Sequence, residues 1–80
     1  MKKKYTDKNV KLDILYEYLR DIMFKSVIRF NDRQMVASTM LDLALRLYKS
    51  TLTKEEYSEM LQVVNKHAKE IKPFNQRVLH

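Results

Sequence analysis

Between Met35 and Tyr48 the chain reads MVASTMLDLALRLY, and only Asp42 and Arg46 among those fourteen residues are charged. Helical spacing sets Met40, Leu43 and Leu47 on one face and Leu41, Leu45 and Tyr48 on another. A helix apolar over so much of its circumference needs cover over most of it. Each large side chain taken out of water contributes about 1.5–3 kcal/mol. The segment is therefore expected at the centre of whatever the chain builds.

Few other means of stabilisation are on offer. Eighty residues make a single domain, and a chain of that size buries only about 60% of its unfolded surface. Cysteine is absent, which excludes disulfides, thiolate metal sites and a thiol nucleophile. Glycine is absent too, which excludes the glycine-rich loops that cradle phosphates and disfavours tight hairpins. Self-association is the remaining route to a larger core. We expect an all-α fold, a three-helix antiparallel bundle completed by homo-oligomerisation, with Met40, Leu41, Leu45 and Tyr48 at the oligomer interface.

The helices are read from periodicity. Thr6 or Asp7 caps the first, in which Leu12, Leu15, Leu19 and Ile22 recur at steps of three and four. Charged residues fill its other face, and it runs over about 7–29. Asn31 with Gln34, or Asp32 in its place, caps the second helix, 32–49, and Phe30 is expected to pack on Met35 as a hydrophobic staple. Thr53 with Glu56 forms a capping box for the third helix, 54–72, with Leu52 and Tyr57 as its staple. Pro73 stops that helix, because the residue before a proline avoids the helical region. Residues 1–5 read as a flexible basic tail. Residues 73–80 form a C-terminal tail that docks through Phe74, Val78 and Leu79 or stays loose.

Catalysis finds little to work with. His67 lies at the edge of the third apolar stripe and His80 at the chain end, and titratable groups indicate function only when clustered and perturbed. Asp13 and Glu17 stand one turn apart, but Arg20, Asp21 and Lys25 around them make a solvated charge face. No catalytic residue, metal or cofactor is expected, and the chain is read as a non-enzyme. A helix-turn-helix reading of the second and third helices is opposed by Glu55, Glu56 and Glu59. They would stand at the end that contacts base edges in that motif. Met23, Met35, Met40 and Met60 all fall on apolar stripes and read as core filling more readily than as an adaptable groove. Tyr16, Tyr48 and Tyr57 are read as core-facing, leaving Tyr5 and Tyr18 for stacking on bases.

Charge placement says more. The formal net charge is +6. Five lysines against Asp7 leave residues 1–11 at +4, and Lys66, Lys69, Lys72 and Arg77 against Glu70 leave 66–80 at +3, so 12–65 stand at −1. Short joints favour antiparallel neighbours. In an up-down-up order the first lysines face Glu55, Glu56 and Glu59, while the other pole gathers Lys25, Arg29, Arg33, Lys66, Lys69, Lys72 and Arg77. Dipole compensation accounts for cations at a helix end but not for Arg33 at a helix start. The expected function is stoichiometric binding of RNA or DNA through that basic pole, without base-specific readout. The alternative is an antagonist or regulator docking on an acidic partner protein, such as a toxin inhibitor or a phage- or plasmid-type modulator of a host enzyme. A peripheral membrane role for Lys2–Lys11 is disfavoured by Asp13, Glu17 and Asp21 on the same helix. No run approaches the ~18 apolar residues of a membrane span, and a cytoplasmic location with no integral membrane association is the expectation.

Overall fold

The computed structural model describes residues 7–74. Among them are three α-helices and no strand: α1 Asp7–Phe30, α2 Arg33–Thr51 and α3 Lys54–Ala68. The basic tail, Thr6 and residues 75–80 lie outside the described residues, so the expectations for Thr6, Val78 and Leu79 fall there. The chain forms two compact units, Met1–Val36 and Ala37–His80.

In the first unit, α1 holds 24 residues, about 36 Å at 1.5 Å per residue. The Ser26 hydroxyl donates to the Ile22 carbonyl at 2.8 Å, the back-bonding that lets serine sit inside a helix. The helix stops at Asn31, whose φ of 51° is left-handed and whose N–H donates to Val27 O at 2.8 Å. That is the left-handed C-terminal cap usually given to glycine. A chain without glycine assigns it to asparagine, which tolerates this region best among the remaining residues.

Asp32 then caps α2: its Oδ1 accepts from Met35 N at 2.9 Å, and its carbonyl accepts the first helical bond from Val36 N at 3.1 Å. Of the two candidate caps, Asn31 thus closes one helix and Asp32 opens the next. Phe30 and Met35, expected to pack as a staple, are both more than half exposed, at 60% and 55%. Moving the cap to Asp32 makes Val36 the fourth helical residue, the staple position, and Val36 is the buried one. Met23, Phe24, Ser26 and Val27, late in α1, are half-buried.

The second unit is built on the other joint. α2 continues two residues past its expected end at Lys49. The Ser50 hydroxyl donates to Arg46 O at 2.9 Å and that of Thr51 to Leu47 O at 3.1 Å, the back-bonding that lets both hydroxyl residues stay in the last turn of the helix. The capping box of α3 is present: Thr53 Oγ1 accepts from Glu56 N at 3.1 Å, and Glu56 Oε1 accepts from Thr53 N at 2.9 Å. Leu45, Leu52, Tyr57 and Met60 are half-buried around this joint, and the Lys49 ammonium sits 5.1 Å from the centroid of the Tyr57 ring. α3 ends at Ala68, short of the expected Lys72. Glu70 N donates to His67 O and Ile71 N to Ala68 O, tight i→i−3 turns that unwind the helix before Pro73. Phe74 is exposed at 40%.

Thr53→Ala removes the side-chain acceptor for Glu56 N and leaves the return bond from the backbone N–H of residue 53 to Glu56 Oε1 as the remaining half of the box. The expected loss is about 1 kcal/mol in urea denaturation. A neutral result would mean that the box contributes nothing to holding α3 in place.

Candidate basic and apolar surfaces

The basic residues singled out in the sequence fall into two groups. Lys25 and Arg29 lie one turn apart near the end of α1, and Arg33 is the first residue of α2; all three belong to the first unit and are exposed. Lys66 is in the last turn of α3, Lys69 is its C-cap and Lys72 follows in the segment before Pro73. These three are exposed and belong to the second unit. Arg77 is outside the described residues.

Members of the first group differ in how free they are to meet a partner. Lys25 Nζ is 3.1 Å from Asp21 Oδ2, one turn back. An exposed pair of this kind contributes only about 0.3–0.5 kcal/mol, so Asp21 holds Lys25 only weakly. The Arg29 guanidinium lies 5.6 Å from the centroid of the Phe30 ring, within cation–π range. Arg33 stands at the positive end of the α2 dipole, where a cation is disfavoured, and no acidic residue occupies the first turn of α2. Among the described residues no ion pair engages Arg33, Lys66, Lys69 or Lys72. The second charged pair, Arg46 with Asp42 at 2.9 Å, neutralises the polar stripe of α2.

The apolar surface is larger than expected. Met40, Leu41 and Tyr48 are exposed, at 37%, 58% and 41%, and Leu45 is half-buried. Leu43 and Leu47, not singled out for an interface, are more open still, at 60% and 67%; their four-residue step was the signal that could have added them. On α1 the stripe of Leu12, Leu15, Leu19 and Ile22 is exposed along its length. Tyr16 and Tyr48, read as core-facing, are exposed for the same reason: the stripes they belong to are uncovered in the single chain. Tyr57 is half-buried beneath Lys49, and Tyr18 is exposed as read. Tyr5 is outside the described residues.

Asp13, Glu17 and His67 are exposed, His80 lies beyond the described residues, and among these no group of three or more metal-ligating side chains converges. Glu56 is occupied in the capping box, which leaves Glu55 and Glu59 as solvated acids at the start of α3. None of the helices among the described residues is long and apolar enough to cross a membrane. Searched against family models, curated proteins and solved structures, the chain finds no match.

Proposed function

We propose that this chain is a small non-enzymatic helical protein that binds nucleic acid stoichiometrically through a basic pole, RNA as readily as DNA, and without reading bases. Its small core is completed by homo-oligomerisation. The observation that carries the reading is the set of exposed cations at Arg33, Lys66, Lys69 and Lys72, which no ion pair among the described residues neutralises. Arg33 adds to it, because a cation at a helix start works against the dipole. Exposed lysines and arginines gain affinity for a polyanion by releasing condensed counterions, which requires no matched shape.

The test is binding to a random RNA and a random duplex across a salt series. Affinity should fall linearly with the logarithm of salt, with a slope of about 0.7–0.9 per phosphate neutralised. Reversing charge with Arg33→Glu and Lys69→Glu should flatten the slope by about two units. Lys8→Glu with Lys11→Glu should change it much less. Equal losses from both pairs would sink the pole and leave diffuse attraction.

The exposed apolar residues of α2 favour a second reading, an antagonist docking on an acidic partner protein. Salt-insensitive or absent binding to both nucleic acids would move the weight to it.

A further inference from the structure

Among the described residues a cation lies over an aromatic ring in three places, and the settings differ. Tyr57, beneath Lys49, is half-buried at the second joint. Tyr16 is 57% exposed with the Arg20 guanidinium 5.8 Å from its centroid, but Asp13, Glu17 and Asp21 stand within one turn of that pair. Phe30 differs from both. The Asp32 cap gives the staple position to Val36 and leaves Phe30 60% exposed, with Arg29 5.6 Å from its ring centroid. Lys25 stands five helical residues back, about 7.5 Å along the axis. Arg33 follows three residues on, at most about 11 Å away between α-carbons. Asp32, the acid at this joint, has one carboxylate oxygen bonded to Met35 N at 2.9 Å. All of these residues around Phe30 belong to the first unit.

We infer that the polyanion of the proposed function is single-stranded, and that one of its bases stacks on Phe30 while Lys25, Arg29 and Arg33 hold the phosphates beside it. The inference rests on that reading and narrows its ligand from any nucleic acid to an unpaired strand. In a duplex each base face is covered by its neighbours, and proteins stack their rings on bases splayed out of a helix. An unpaired strand offers an open base face and phosphates together. Every base has such a face, so stacking requires no particular sequence and agrees with binding that reads none. The arginine plane beside the ring extends the surface on which a base lies. An anionic membrane would attract the same cations, but a helix held there gains from an apolar face entering as a whole. Ile28, exposed at 78%, is two residues from Phe30 and so on the opposite side of the helix. What remains at this place is one ring among charges.

Tryptophan is absent from the chain, so Phe30→Trp puts a single indole at the site. Titrating that variant with an oligouridylate should quench the indole, and a duplex of the same length should not. Fluorescence anisotropy of the labelled oligomers then measures affinity for the full chain across a salt series. Phe30→Ala should weaken single-strand binding about tenfold and leave the salt slope unchanged, because no charge is removed. Phe30→Tyr keeps a ring and should bind like wild type, whereas Phe30→Leu keeps apolar bulk alone and should lose as much as Phe30→Ala. Duplex binding should be the same in all of them. Circular dichroism checks the helix content, and the Tyr and Leu variants carry the comparison if Phe30→Ala loses helix. Undiminished single-strand binding by Phe30→Leu, or an unquenched indole, overturns the stacking and leaves the basic pole in place. Equal weakening towards the duplex does the same, as does a loss confined to anionic phospholipid vesicles. Absence of salt-sensitive binding to either nucleic acid overturns the pole, and this inference with it.

Discussion

The melting temperature of this protein should rise with its concentration. Stability coupled to association follows mass action, and for two chains of 80 residues the unfolding enthalpy is on the order of 110 kcal/mol at about 0.7 kcal/mol per residue. A tenfold increase in concentration should then raise the midpoint by roughly 4 °C, so a hundredfold series separates a dimer from a monomer without ambiguity. The physical reason is the exposure of Leu43 at 60% and Leu47 at 67% in α2. Side chains worth about 1.5–3 kcal/mol each when buried contribute little of that while solvated. A midpoint that stays constant across the series, with sedimentation reporting a folded monomer, would remove the basis for self-association.

The second large effect is expected at Val36. It is the buried side chain of the described residues, at 8% exposure, and it occupies the staple position after the Asp32 cap. Val36→Ala removes two methyl groups from that site and should cost about 1–2 kcal/mol. Val36→Asp places a carboxylate where it has neither water nor a partner, and the cost should be on the order of 3 kcal/mol. Urea denaturation at one fixed concentration gives both values. Amide exchange at Asn31 and Val36 should accelerate in step, because those N–H groups bond to Val27 O and Asp32 O on the two sides of this joint. A Val36→Asp chain as stable as wild type would mean that the joint is held by its hydrogen bonds alone.

What was legible in the sequence is what local chemistry decides. Thr53 and Glu56 satisfy each other's backbone donors across three residues, so their identities and spacing were enough to place the start of α3. At the first joint two adjacent residues, Asn31 and Asp32, are both good caps. The choice between them turns on which one adopts a positive φ, and residue type alone does not settle that. The end of α2 moved because Ser50 and Thr51 can bond back to carbonyls one turn earlier, a use of hydroxyls that competes with their preference for turns. For the candidate site, exposure of the cations followed from their type. The pairing of Lys25 with Asp21 was implicit in a four-residue spacing. Tyr16 and Tyr48 were misplaced because periodicity tells which residues share a face and is silent on whether that face finds cover.

The Asn31 and Thr53 caps also bear on the order of events in time. Both helix boundaries are set by bonds reaching three or four residues, so each helix can form before any distant part of the chain arrives. Helix formation takes on the order of a microsecond, whereas subunit assembly takes milliseconds to minutes and depends on concentration. On the association proposed above, refolding should divide into a rapid first-order gain of helix and a slower second-order step in which side chains leave water. The rate of that later step, unlike the first, can be set by the experimenter through dilution.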